Sequence, residues 1–195
     1  RRAAFVSSSC GLHVHVDARD FDYYTVRRLM AVYSAIEPVL FDMVPPARRT
    51  SDFCKPCGEK YRGSRAVEVL NAAEIKQTVQ RMIYGHPLDD YGERSVKNSK
   101  WNDARYHALN LHSWMYRGTV ECRLFGGTMK ADKIVSWGAM WARLLDYIKG
   151  ISDRDALALQ GTPREQLGAI LGGDSPLQAF VEERIRCAQT GVNDG

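Results

Sequence analysis

Apolar and polar positions alternate strictly along CGLHVHVD, residues 10 to 17: Leu12, Val14 and Val16 share one side, and His13, His15 and Asp17 share the other. A period of two is the strand repeat, so this segment predicts a buried strand with one packing face and one face left for chemistry. Over residues 23 to 43 the spacing becomes helical. Val26, Leu29, Met30, Tyr33, Ile36 and Leu40 form a core-facing stripe that Pro45 and Pro46 end. Pro38 falls inside that span and predicts a kink there, or a stop near Ile36 and a restart. Residues 47 to 66 are polar, with Pro56 and two glycines, and predict a long surface loop.

A helix is predicted over 72 to 84 with Asn71 at its start, followed by an irregular stretch from Gly85 to Asp103. Two strand candidates, 105 to 113 and 119 to 125, are joined by a connection containing Gly118 and read as an antiparallel hairpin. In the second, Thr119, Glu121 and Arg123 share a face opposite Val120, Cys122 and Leu124. Residues 131 to 150 give the clearest helix, with Ile134, Trp137, Trp141, Leu144, Leu145 and Ile148 on one broad face. From Ser152 onward the pattern is one of short helices, two of them opening at Thr162-Pro163 and after Asp174. The sum is an α+β fold: a mostly antiparallel sheet backed by the helices near 23 to 43 and 131 to 150. Residues 1–150 form its core and residues 151–195 a helical extension.

Composition narrows the class. A chain of 195 residues, 45% hydrophobic and 26% charged, suffices for one domain with a helical appendage. No run of about 18 apolar residues and no charged-then-apolar leader is present, which predicts a cytoplasmic protein without a membrane span. The net charge of +4 is modest and the basic residues are interleaved with acids, which argues against nucleic acid as the main partner and leaves room for local phosphate pockets. Five cysteines, with Cys10 and Cys122 in strand-like runs and Cys187 in a helical one, read as reduced apolar thiols. Cys54 and Cys57 form a C-x-x-C that is compatible with two loop thiols, a zinc half-site or a redox pair.

Two imidazoles on one strand face can hold a divalent metal or the phosphates of a nucleotide, and the pair alone does not choose. The order of motifs is more specific. S-S-C-G-L-H-V-H-V-D, a long helix, an R-R with a polar loop, R-Y-x-x-L-N-L, R-G-T-V-E-C-R-L-F and a helix containing W-x-x-x-W together resemble the amidoligase family, among the glutamine synthetase-like carboxylate-amine ligases. The resemblance covers roughly residues 5 to 148. It implies an ATP-dependent enzyme that joins a carboxylate to an amine through an acyl phosphate, with ATP and Mg²⁺ or Mn²⁺ as cofactors. The substrates implied are an amino acid, peptide or protein terminus.

Residue by residue, the resemblance implies that His13 and Glu121 bind the metal, His15 lies beside ATP and Arg123 clamps the substrate carboxylate. Arg105 is implied at the phosphate or acyl phosphate, and Asn110 at a substrate amide or carboxyl. Ser8 and Ser9 stand where glutamine synthetases have an Asn-Gly substrate loop. The superfamily's other metal ligands come from acidic strands that precede the H-x-H strand, where this chain has only RRAAFVSS. With Arg1 as first residue, that predicts the C-terminal half of a longer ligase, completed by an upstream segment or a partner chain. Asp89, Asp90 and Glu93 are alternative acids without a supporting motif.

Three rival readings compete. H-V-H-V-D also looks like the first strand of metal-dependent amidohydrolase barrels, but those need about 250 residues, and only His86, His107 and His112 remain here, without ligand spacing. In histidine-triad hydrolases the position of Asp17 holds a third histidine. A non-catalytic binding or assembly module on the ligase scaffold is the third reading.

Overall fold

In the computed structural model, which describes residues 6, 7, 10–58, 71 and 73–191, the alternating segment forms strand β1 (Val14–Asp17). Leu12, Val14 and Val16 pack against the core, whereas His13, His15 and Asp17 face outward. Helix α1 (Tyr23–Asp42) follows, started by Asp22, whose carboxylate accepts from Thr25 N at 2.8 Å. It is one continuous helix through Pro38, so the predicted stop and restart is not found. Burial also exceeds the predicted stripe: Ala31, Val32 and Val39 are buried as well, because other helices cover the outer side of α1.

Pro46 opens the one-turn helix α2 (Pro46–Arg49), at a position where a missing N–H costs nothing. Residues 51–58 of the predicted surface loop are irregular and mostly exposed, with only Cys54 and Cys57 buried, and residues 59–66 lie outside the described residues. Lys55 N donates to Tyr106 O at 2.9 Å and Ala108 N to Lys55 O at 2.8 Å, while the Glu37 carboxylate accepts from Cys57 N and Gly58 N at 2.6 Å each. Cys54 and Cys57 are thereby buried, and their thiols donate to the carbonyls of Arg48 and Leu109. These surroundings fit two loop thiols, and all five cysteines are free.

Helix α3 (Ile75–Tyr84) begins after Glu74, three residues beyond the predicted Asn71 start. Helix α4 (Asp90–Asn98) occupies the stretch expected to be irregular. Only Val96 of α4 is buried, so no apolar period marked it; in the folded chain Asp89 caps it, accepting from Gly92 N at 2.7 Å. A 3₁₀ turn (Asp103–Arg105) leads to the two-residue strand β2 (Leu109–Asn110). The two strands of the predicted hairpin do pair antiparallel, but the first is shorter than expected and helix α5 (His112–Arg117), followed by Gly118, joins β2 to strand β3 (Thr119–Cys122). Gly118 ends α5 at φ 71°, where its missing side chain matters, since a Cβ there would strike the Arg19 side chain.

The sheet is antiparallel throughout, in the order β1-β3-β2, so that among the described residues β1 is an edge strand and not a buried one. Pairing continues past the named strands: Leu12 N donates to Phe125 O and Gly127 N to Cys10 O, both at 2.9 Å. Helix α6 (Ala131–Gly150) packs on β1 and buries Trp137, Met140, Trp141, Leu144, Leu145 and Ile148. Ile134, predicted on that face, is 40% exposed, so the buried stripe starts one turn later. Trp137 stacks on Phe125 with ring centroids 3.6 Å apart, and Trp141 meets Tyr33 edge-on at 6.2 Å.

Helices α7 (Asp153–Leu157), α8 (Pro163–Ile170) and α9 (Ser175–Thr190) are capped by Ser152, Thr162 and Asp174. All three pack on α1, and Leu167, Ile170, Phe180 and Ile185 join the same apolar cluster as the sheet. Arg27 of α1 is ion-paired to Asp153 at the start of α7. No helix among the described residues is long and apolar enough to cross a membrane.

Candidate functional site

Strand register makes Glu121 the hub of the outward sheet face. His15 of β1 stands directly opposite it, and Asn110 of β2 stands opposite it on the other side. His13, two residues back on the same face, reaches it diagonally, as side chains across neighbouring strands can. His13 Nδ1 lies 3.0 Å and His15 Nε2 3.4 Å from Glu121 Oε1. Arg123 Nη1 donates to that oxygen at 2.9 Å, and the Asn110 side-chain amide donates to Oε2. The imidazole side chains are 38% and 33% exposed and the carboxylate 5%, so a buried anion is presented to solvent through two accessible rings.

Burial by itself would raise the pKa of Glu121. Hydrogen bonds from His13 and His15, the positive charge of Arg123 and the Asn110 amide outweigh it and hold the carboxyl well below the usual carboxylate range. The group is therefore ionised at neutral pH.

Asn110 and Arg123 both have partners within the protein. Asn110 is buried and engaged at both ends, its amide donating to Glu121 Oε2 and its Oδ1 accepting from Ser113 N at 3.2 Å, so it orients Glu121. Arg123 is buried too, with Nε donating to Phe53 O at 3.1 Å and Nη1 committed to Glu121. Two of its five N–H groups are thus engaged, one of them holding the Glu121 carboxylate charged and in place.

Arg105 lies on the 3₁₀ turn, not on a strand. Its guanidinium stacks on exposed Trp101 at 5.0 Å and on Tyr106 at 5.6 Å. Arg123 stacks on the same Tyr106 ring at 5.9 Å, which ties Arg105 to the rim of the Glu121 cluster. Asp17 turns away to Arg19, which donates to it through Nε at 2.9 Å. Asp89 caps α4, Asp90 lies in the first turn of that helix, and Glu93 pairs with Lys76 and accepts from Gln80 Nε2 at 2.8 Å; the alternative acids thus serve α4. His86, His107 and His112 bond to Pro87 O, Ala104 O and Ser99 O and form no group. Ser8 and Ser9 lie outside the described residues.

Three contributors escaped the sequence reading. Thr119 Oγ1 and His15 Nδ1 share a hydrogen bond of 3.0 Å, and Ser113 Oγ lies 2.9 Å from Thr119 Oγ1. A carboxylate only accepts, so the His15 nitrogen facing Glu121 carries a proton, while the Thr119 hydroxyl, able to donate or accept, partners Nδ1. Were Nε2 to bind a cation instead, Nδ1 would carry the proton, and the same hydroxyls can accept it. Thr119 shares its face with Glu121 at a period of two, which was the available signal. Arg48, the third, is buried, and its Nε donates to Leu124 O at 3.1 Å. A Cβ on Gly11 would stand 3.2 Å from both Arg48 Nη2 and His13 Nε2, so the guanidinium and the imidazole both close tightly on the strand there.

We expect Thr119→Val to weaken Mn²⁺ binding about tenfold, the usual scale for losing the partner that orients a ligating imidazole. Titration calorimetry beside a thermal melt checks this. An unchanged affinity would mean that Ser113 suffices to orient His15.

Two imidazoles and one carboxylate within 3.4 Å of a common oxygen suit Mn²⁺, or Mg²⁺ completed by water and phosphate oxygens. Among the described residues, no three His, Cys, Asp or Glu side chains surround a common metal position. The imidazoles are aimed at Oε1 itself. The residues therefore fit part of a coordination shell, with the balance left to ligands beyond these side chains.

A family model described as "Putative amidoligase enzyme" matches residues 1–145 of the chain. No curated protein and no solved structure gave a match.

Proposed function

The chain belongs to that amidoligase family, and from this premise we propose that it is the catalytic core of an ATP-dependent carboxylate-amine ligase with a glutamine synthetase-like sheet. The observation that carries the reading is the convergence of His13 and His15 on the ionised, buried Glu121. In this proposal residues 1–150 hold the chemistry, and the extension 151–195 buttresses α1 from behind.

A carboxylate is a poor electrophile at neutral pH. Its attack on the terminal phosphate of ATP makes an acyl phosphate and ADP; the amine then displaces inorganic phosphate and loses a proton as the amide forms. The difficulty is the approach of two anions. Mg²⁺ or Mn²⁺, when bound, supplies the charge that lowers that barrier. His13 and Glu121 are the residues proposed to hold it, with His15 on the nucleotide side. Arg105 is proposed to meet phosphate from the rim, where its guanidinium lies over the Trp101 and Tyr106 rings. Arg123 keeps Glu121 ionised and oriented.

The test is acid-dependent ADP release, with hydroxylamine as the trapping amine, over a panel of mono- and dicarboxylates with Mg²⁺ and Mn²⁺. Hydroxamate formed in step with ADP supports an acyl phosphate. ADP release that ignores the acid would favour a phosphohydrolase. The saturation of both Glu121 oxygens by protein donors favours a second reading, a non-catalytic scaffold whose polar network is structural. That reading predicts no nucleotide turnover with any acid.

A further inference from the structure

His112 opens α5 and is 2% exposed, yet this buried imidazole takes no part in the chemistry proposed for Glu121. Both of its ring nitrogens are engaged. Nε2 lies 2.9 Å from Ser99 O, and a carbonyl only accepts, so Nε2 carries a proton. Burial is the largest influence on the ring's pKa; with the nearby charge of Arg105 it outweighs the Ser99 bond and holds the value below that of an ordinary histidine. The ring is therefore neutral at pH 7, and its Nδ1 accepts from the Tyr84 hydroxyl at 3.0 Å. Tyr84 also meets the imidazole edge-on at 5.9 Å while Tyr116 stacks on it at 6.3 Å, so aromatic rings on two sides fix its plane.

These groups join three elements. Tyr84 ends α3, Ser99 follows the last residue of α4, and His112 starts α5. Ser99 carries the hold into the rim: its Oγ accepts from Trp101 N at 3.1 Å, and Arg105 Nη1 donates to Lys100 O at 3.2 Å. The next residue of α5 serves the opposite side. Ser113 N donates to Asn110 Oδ1, and Ser113 Oγ lies 2.9 Å from Thr119 Oγ1. One turn of α5 thus grips the Arg105 rim with one residue and the Glu121 cluster with the next.

We propose that His112 is a positioning residue: by tying Tyr84 and Ser99 together at the start of α5, it fixes the rim over residues 99–106, and with it the Arg105 guanidinium, beside the Glu121 cluster. That Arg105 meets phosphate there rests on the ligase reading; the anchoring of the rim does not. A rim released from α5 keeps its guanidinium but spreads it over many positions. That loss falls on binding the group Arg105 meets, and not on the chemistry at Glu121.

Hydrogen exchange and steady-state kinetics on three variants test it. His112→Leu removes both bonds, whereas His112→Gln can place an N–H near the Nε2 position and keep the bond to Ser99 O. In His112→Leu the amides of residues 101–106 should exchange about tenfold faster, the scale of one lost hydrogen bond, while those of β1 and β3 keep their protection. The KM for ATP should rise about tenfold with kcat held within about twofold. His112→Gln should return both readouts close to the wild type, which a general loss of folding would not allow. Tyr84→Phe should speed rim exchange about threefold, and it decides the matter if the leucine variant does not fold. Wild-type rim exchange in a folded His112→Leu or in Tyr84→Phe, faster exchange spread evenly over β1 and β3, or a loss confined to kcat would overturn the proposal. If no acid supports ADP release in the wild type, the ligase reading fails, and rim exchange alone still decides the anchor.

Discussion

Glu121→Gln is expected to reduce acid-dependent ADP release by about two to three orders of magnitude, the scale of removing a charge-stabilising group from a reaction centre. Glutamine keeps the shape but loses the anion that His13, His15 and Arg123 surround. Three donors meet at Oε1, so the amide must turn its oxygen there and its NH₂ toward Asn110, whose own NH₂ now faces that oxygen position. Asn110 can flip only by giving up its bond from Ser113 N. The variant should therefore fold with a penalty of about 1–3 kcal/mol, the cost of one unsatisfied buried group. ADP release, Mn²⁺ affinity and a thermal melt separate the two effects. Wild-type turnover in a folded Glu121→Gln protein would return the cluster to a structural role.

The largest stability effect is expected from Arg123→Met. Removing one partner of a buried pair leaves the other charge uncompensated, at a cost of about 3–5 kcal/mol. The loss should depend on pH in a definite sense. In the wild type the folded pKa of Glu121 is depressed, so its stabilisation is present above the ordinary carboxylate pKa and disappears as pH falls through the lower folded value. In the variant the Arg123 charge is gone while burial still pushes the pKa upward, so Glu121 takes up its proton at higher pH than in the wild type. The wild type then loses stability faster on acidification, and the gap between the proteins narrows. Urea unfolding at pH 7 and at about pH 4, near the reference carboxylate value, measures it. A gap that widens at low pH would mean that Glu121 is not the group Arg123 sustains.

The legible parts of the fold were those with a clean period. The strict alternation over residues 12 to 17 separates His13 and His15 from Leu12, Val14 and Val16, and the spacing in α1 and α6 marks Leu29, Tyr33, Trp137 and Trp141 as core. Capping chemistry marked α8 and α9 through Thr162 and Asp174. Where burial involves few side chains the period vanishes, which is why α4 read as irregular and α5 as a turn. Off-stripe Ala31, Val32 and Val39 hinted that α1 is enclosed, but which helices enclose it depends on α3, α7, α8 and α9 folding back over its other side.

Chain chemistry by itself determined the α+β class, the family motifs and the faces on which His13, His15, Thr119, Glu121 and Arg123 stand, because side-chain direction along a strand repeats every two residues. Tertiary structure alone decided that β3 lies between β1 and β2, that His15 and Asn110 flank Glu121 at one register, and that Arg123 is committed to that carboxylate before any ligand arrives. It also brought Tyr84 and Ser99 to the two ring nitrogens of His112. The reason is that strand pairing and helix packing are long-range choices: local periodicity specifies which face a residue takes, and only the folded chain specifies what that face meets.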